Sequence, residues 1–182
     1  AMTGARSAVV TRVPQEYPIQ PGDLFLMDFG AVVDGYSSDW TRTFCVGEPS
    51  KEQQELYDFV WEIERSCICQ IRPGVSLSSL VKQMEEMAAG HPLGKFLKTH
   101  LGHSVGITSH EPPVIEPGVL GTLEPGMVIT IEPGAYIPGL GGVRIEDEIL
   151  VTESGYEILT GLKEEGLAVN GEKNEERRGM EK

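Results

Sequence analysis

Apolar positions along the chain change their period several times, and each change marks an element. Leu24 to Val33 is an apolar run with strand character, Asp34-Gly35 suits a tight hairpin turn, and Tyr36 to Val46 returns as a second strand. The period then lengthens. Leu56, Phe59, Val60, Ile63, Cys67, Ile68 and Ile71 recur at helical spacing, and Ser50 with Gln53 supplies a capping box ahead of them. Pro73-Gly74 stops that helix. Leu77, Leu80, Val81, Met84 and Met87 form the stripe of a second helix, ending near Gly90. Both stripes read as core.

Residues 91–125 read as loops with strand fragments. Met127 to Ile137 reads as a strand interrupted at Pro133-Gly134, and Val143 to Thr152 as another. The glycines at 139, 141 and 142 lie between these two strands, where a turn accounts for them better than a phosphate site. Residues 1–22 are Pro-rich and read as irregular, ending in the turn signal Gln20-Pro21-Gly22-Asp23. From Lys163 onward the chain is charged and poor in apolar residues, so it is expected to fray.

Length changes the picture little: 182 residues suggest one domain, and a hydrophobic fraction of 40% supplies a real core. No stretch is long and apolar enough to span a membrane, and the start lacks the basic and apolar regions of a signal peptide. A net charge of −13 argues against a nucleic-acid partner, which would need a basic footprint. Such a charge is also a common solubility device, though part of it can be carboxylates gathered to hold cations. Three cysteines, two of them at 67 and 69, suit neither a disulfide framework nor a zinc knuckle, and read as thiols in a reducing compartment such as the cytoplasm.

The carboxylates carry the chemistry. Asp28 lies in Leu-Phe-Leu-Met-Asp-Phe-Gly, Glu132 in Val-Ile-Thr-Ile-Glu-Pro-Gly and Glu146 in Val-Arg-Ile-Glu-Asp-Glu-Ile-Leu-Val, all runs that should be buried; Asp39 follows the first hairpin turn. A buried carboxylate is costly unless paired or bound to a cation. A hairpin turning at Asp34-Gly35 predicts that Asp28 and Asp39 face each other across two strands, where like charges repel unless a cation lies between them. Arg144 and Glu146 share a face of one strand, so Arg144 can brace a ligating carboxylate. His103, in Leu-Gly-His-Ser-Val-Gly, and His110, in Ser-His-Glu-Pro-Pro, have neighbouring glycines that let backbone approach a site.

Asp-x10-Asp, Gly-His-x-x-Gly, His-Glu-x-Pro, Ile-Glu-Pro-Gly-x-Tyr and Arg-x-Glu-Asp occur in that order. Together they resemble the signature of the pita-bread metallopeptidases, which include methionine aminopeptidase, Xaa-Pro aminopeptidase and prolidase. Gly35 to Thr43 and Val143-Arg144-Ile145-Glu146-Asp147 are similar to the prolidase and Xaa-Pro branch. The resemblance implies an α+β fold and a dinuclear centre that hydrolyses X–Pro bonds. Asp28 would chelate one metal, Asp39 and Glu146 would bridge both, and His103 and Glu132 would complete the other. His110 would contact substrate or its tetrahedral intermediate, with Tyr136 and Arg144 as supporting residues of the site. Four carboxylates balance two divalent cations, so that a bridging water can be held as hydroxide; one imidazole among oxygen ligands favours manganese, with cobalt or zinc as alternatives.

Two departures from that family stand out. Gly4 to Pro14 aligns with a segment in which a substrate-contacting His is expected where Thr11 stands, and an Asn where Arg6 stands. The fold is a pair of pseudo-symmetric halves, each with two helices, and only residues 50–89 supply such a pair here. The expectation is a pita-bread catalytic domain over residues 1–162, shortened at its N-terminus and lacking its leading helix pair, followed by a charged tail over 163–182. A sheet face left bare by that shortening predicts a homodimer. Two other readings stay open: a weakly active peptide-binding module that keeps the metal cleft, and a metal-free amidinohydrolase, against which the intact ligand set speaks.

Overall fold

The computed structural model describes residues 1–9, 16–160 and 166–167. Thr11 lies outside them, as does the charged tail apart from Gly166 and Leu167.

Two strands form first. β1 (Met2–Thr3) leads through a short 3-10 turn, Gly4–Ala8, to β2 (Leu24–Phe29), so the opening segment expected to be irregular contains a paired strand. The predicted hairpin then forms in two pieces: an outer ribbon of β3 (Val32–Val33) with β4 (Tyr36–Ser37), and an inner pair of β2 with β5 (Trp40–Cys45). Asp34 and Gly35 both have positive φ, 52° and 87°, as the tight turn requires. β1, β2 and β5 make one sheet.

Helix α1 (Lys51–Ile68) starts at the expected capping box: Ser50 Oγ accepts from the Gln53 N–H, and Gln53 returns to the Ser50 N–H. Helix α2 (Leu77–Ala89) starts at Ser76 and ends at Gly90. A second 3-10 turn, Gly94–Phe96, leads to β6 (Gly102–Ser104) and β7 (Glu111–Ile115). The run expected as one interrupted strand is β8 (Val128–Ile131) and β9 (Gly134–Ile137), broken by Pro133, which has no N–H to give to a ladder. The next run also splits, into β10 (Gly141–Arg144) and β11 (Asp147–Val151), with β12 (Tyr156–Ile158) closing the edge. β9 and β10 form the hairpin that the glycines were expected to turn. The main sheet runs β12-β11-β8-β6-β7, antiparallel throughout.

One backbone link ties the two sheets: Glu146 N–H donates to Thr41 O at 3.1 Å. Both helices cover the sheets from one side, α1 over β8, β9 and β10 and α2 against β7. Their stripes, Leu56, Phe59, Val60 and Ile63 with Leu80 and Met84, pack with Ile129, Ile131, Val143 and Ile145 into one core. Removing that apolar surface from water is the main stabilising term. Leu167, within the segment expected to fray, is buried in the same core, and its carbonyl accepts from Cys45 N–H at 2.7 Å.

Candidate metal centre

The hairpin register is two residues away from the one expected. Asp28 pairs with Thr41, not with Asp39. The register is continuous from the outer ribbon, with Val33 opposite Tyr36 and Val32 opposite Ser37, to the inner pair, so a turn at Asp34-Gly35 itself sets Asp28 opposite Thr41. Between the two pieces Gly30 packs against Ser38: a Cβ on Gly30 would lie 1.8 Å from Ser38 O. Only a residue without Cβ tolerates that pinch. Asp39 stands two residues before Thr41 and so shares its face, which makes Asp28 and Asp39 diagonal neighbours. Both carboxylates still meet, and Glu146 joins them: ligand atoms of Asp28, Asp39 and Glu146 lie within 4.8 Å of one another.

Both glutamates sit at the strand breaks, where the backbone leaves the ladder. Glu132 falls between β8 and β9, held by its N–H to Leu101 O at 2.7 Å. Glu146 falls between β10 and β11, its Oε2 accepting from the Thr41 hydroxyl at 2.6 Å. His103 is the middle residue of β6, a strand buried between β7 and β8. Gly102 makes that possible, because a Cβ there would stand 2.0 Å from Thr130 O.

His103 defines what the site needs. Its Nδ1 lies 3.1 Å from the Ser104 carbonyl, so Nδ1 carries the proton in the neutral ring. Its buried Nε2 has no hydrogen-bond partner, yet stands 3.0 Å from Glu132 Oε1. A lone pair facing a carboxylate oxygen is repulsive unless a proton or a metal ion lies between them. Fixing the tautomer through the second nitrogen is how a ligating histidine is usually prepared. The residues present therefore fit a cation.

Arg144 closes the back of the site. It bonds the Asp28 carboxylate, its Nε donates to Thr41 Oγ1 at 3.1 Å, and its Nη1 reaches Tyr136 Oη at 3.2 Å. His110 lies over the front: its ring stacks on His103 with centroids 3.9 Å apart, and its Nδ1 is 3.8 Å from Asp39 Oδ2. The imidazole is exposed and lines, with Asp28, Val32, Ser38 and Asp39, a cleft of about 400 Å³. All eight residues singled out in the sequence, Asp28, Asp39, His103, His110, Glu132, Tyr136, Arg144 and Glu146, are joined by contacts into one cluster, of which Asp28, Asp39 and His110 line the cleft.

Three further residues belong to it. His100 Nε2 is 3.2 Å from Glu132 Oε1, and its Nδ1 is 3.8 Å from Glu116. The Thr41 hydroxyl joins Arg144 to Glu146. Glu148 Oε1 accepts from the Asp39 N–H at 2.7 Å. Glu148 shares the alternation of Glu146, a signal readable in the sequence; His100 carries no comparable signal.

Electrostatics separates the carboxylates. Burial, with the charge of Glu132 and Asp39 beside it, pushes Glu146 up to about 8, against the hydrogen bond from Thr41. Burial and the Asp28 carboxylate raise Asp39. Burial would raise Glu132 too, but the His100 and His103 rings that face it hold it far below the usual range. His103 is raised although burial opposes its charge, because Glu132 faces it. A cluster of this kind exchanges protons for divalent cations, since several anions crowd a small buried volume.

Comparisons with known proteins cover most of the chain. Residues 1–153 match the profile of Metallopeptidase family M24. A relative named Xaa-Pro dipeptidase, from Pyrococcus horikoshii, is 40% identical over 163 residues, covering 90% of this chain and 46% of that protein. The structure of prolidase from Pyrococcus furiosus superposes with a TM-score of 0.86 at 41% identity, over 90% of this chain and 48% of the other. X-Pro aminopeptidase from Thermotoga maritima superposes with a TM-score of 0.88 at 33% identity, over 92% and 48%. The chain spans about half the length of the relatives it matches.

Proposed function

From the premise that the chain belongs to metallopeptidase family M24 and has the pita-bread fold of its relatives, we propose that it hydrolyses X–Pro peptide bonds, as an Xaa-Pro dipeptidase or aminopeptidase, at a dinuclear metal centre. The observation that carries this reading is the His103 Nε2, buried without a partner against Glu132 and surrounded by three more carboxylates.

Asp28, Asp39, His103, Glu132 and Glu146 would hold the two cations. Oxygen-rich ligation with one imidazole suits manganese first, then cobalt or zinc. Bound there, such a pair supplies Lewis-acid polarisation of the scissile carbonyl and a water of lowered pKa. The chain's own residues do the rest. Arg144 and Tyr136 fix the Asp28 carboxylate, and Thr41 fixes Glu146. His110, exposed at the mouth of the cleft, is free to donate a hydrogen bond to the developing oxyanion of a bound proline-containing peptide.

Dimer formation and residence in a reducing compartment are part of the same proposal. Exposed Val32, Val33 and Tyr36 on the β3–β4 ribbon, with Ile107 beside it, offer an apolar surface to a second copy. Cys45, Cys67 and Cys69 are free thiols. The deciding experiment is metal content after mild purification, joined to a screen of X–Pro peptides with manganese. Two bound metals and cleavage before proline are expected; a chain that binds no divalent metal overturns the reading.

A further inference from the structure

The five proposed ligands leave one imidazole of the cluster unused. His100 stands just before β6, on backbone pinned at both sides: Lys98 N–H donates to Gly134 O at 2.9 Å, and Leu101 N–H donates to Ile115 O at 2.9 Å. Leu101 O in turn accepts from the Glu132 N–H at 2.7 Å. The backbone that carries His100 is therefore tied directly to the backbone that carries Glu132.

His100 and His103 meet Glu132 in the same way. His100 Nε2 lies 3.2 Å from Glu132 Oε1, and His103 Nε2 lies 3.0 Å from the same oxygen. The second nitrogen of each ring faces an acceptor. For His103 it is the Ser104 carbonyl at 3.1 Å, and for His100 the Glu116 carboxylate at 3.8 Å. An acceptor beside Nδ1 favours the tautomer with its proton there, and leaves Nε2 as a lone pair. The two rings lie 28° from parallel, and ligand atoms of His100, His103 and Glu132 fall within 4.8 Å of one another.

A hydrogen bond from His100 to Glu132 would serve that carboxylate alone. It would leave His103 Nε2, in a residue 1% exposed, without a partner. A cation serves all three groups at once.

We propose that His100 is a further metal ligand, which gives one of the two positions a donor set of two imidazoles and one carboxylate, and with it a preference for zinc over manganese. This rests on the reading of the cluster as a metal centre. Imidazole suits zinc, whereas carboxylate and water suit manganese. Two histidines with one glutamate are a set that holds zinc and keeps a coordination position open. Asp28, Asp39 and Glu146, whose ligand atoms also lie within 4.8 Å of one another, offer oxygen only and discriminate less against manganese. The two positions thus differ in chemistry, and the centre is suited to two different metals.

The test is calorimetric titration of zinc and of manganese, separately, into the full chain after chelator treatment, as wild type and as His100→Gln. Glutamine keeps a donor for Glu132 but offers no imidazole. Zinc affinity at the tighter position should fall at least about tenfold more than manganese affinity. A partner that only steadies Glu132 would weaken both metals alike, by about 10-fold to 100-fold. Equal weakening, or no change for either metal, overturns the ligand role. Proton NMR of the cobalt-loaded chain gives a second reading that the wild type alone can decide. Protons on the nitrogens of ligating imidazoles are shifted far outside the ordinary range by the paramagnetic ion, and disappear in heavy water. Two such resonances are expected in wild type and one in His100→Gln; a single one in wild type overturns the proposal. A wild-type chain that takes up none of the three metals overturns the metal-centre reading itself, an outcome distinct from unchanged selectivity.

Discussion

The Thr41 hydroxyl donates to Glu146 Oε2 at 2.6 Å while accepting from Arg144 Nε at 3.1 Å. One buried oxygen therefore orients both an anion and the cation beside it. Thr41→Val keeps the shape and removes that oxygen, leaving two buried groups short of a partner. The expected cost is about 1–3 kcal/mol in stability, read by denaturant unfolding, and about tenfold in manganese affinity. A variant as stable and as avid as wild type would mean that Glu146 is held by its backbone alone.

Asp39→Ala and Glu146→Ala should each abolish two-metal binding and lower thermal stability in the presence of manganese. Both carboxylates lie, with Asp28, within 4.8 Å of one another, and in the proposed centre both are ligands. Calorimetric stoichiometry is the measurement, and an unchanged value in both variants rules the assignment out.

Gly102→Ala should disturb His103 without touching it. The new Cβ would meet Thr130 O at 2.0 Å, and a backbone oxygen in a sheet cannot swing aside. Overpacking of this kind costs about 1–3 kcal/mol. Metal affinity should fall with it, because the strand that carries the imidazole must shift.

Stability should fall as pH rises from mildly acidic to mildly alkaline. The Glu64 carboxyl is raised from 4.5 to about 9 by folding, so within that window the folded chain holds a proton that the unfolded chain has released. The folded state binds more protons, and the slope is negative, at most about 1.4 kcal/mol per pH unit. Glu64→Gln removes this contribution. Urea midpoints across the pH series, compared between wild type and variant in metal, should converge at low pH and separate as pH rises.

Thr11→His should raise turnover of X–Pro peptides by on the order of 100-fold at unchanged metal content, if a donor at that position is what the chain lacks. Steady-state kinetics with manganese tests it. No gain in a folded variant would remove Thr11 as the limiting residue.

Helices and caps were legible because their signals are local: a Ser50–Gln53 pair and a 3.6-residue stripe need no knowledge of the rest of the chain. Of the candidate residues, Asp28, Glu132 and Glu146 stood out because acids in apolar runs demand an explanation, whereas the roles of His103, His110 and Tyr136 came only with the family resemblance. Register was legible too, but the expected pairing of Asp28 with Asp39 missed it by two residues: counting outward from the Asp34-Gly35 turn gives Thr41 as the partner. The break between β10 and β11 was not legible, since Ile145 and Ile149 continue the apolar pattern across it. Glu64 is a charged residue of α1 that is nonetheless buried, which no local signal in the sequence announces.

The link between Thr41 and Glu146 joins the two sheets at the point where the candidate ligands meet, and the ligands come from β2, the approach to β5, β6 and the two strand breaks. Nearly all their separation in sequence is non-local, so no fragment of a folding chain can present half a site of useful affinity. Cation uptake is then a report on the whole topology. At a free concentration a thousand times the dissociation constant, one ion adds about 4.1 kcal/mol to the unfolding free energy. Amide exchange should therefore slow across the core strands of both sheets together when metal is added, as befits a clasp fastened across two plates.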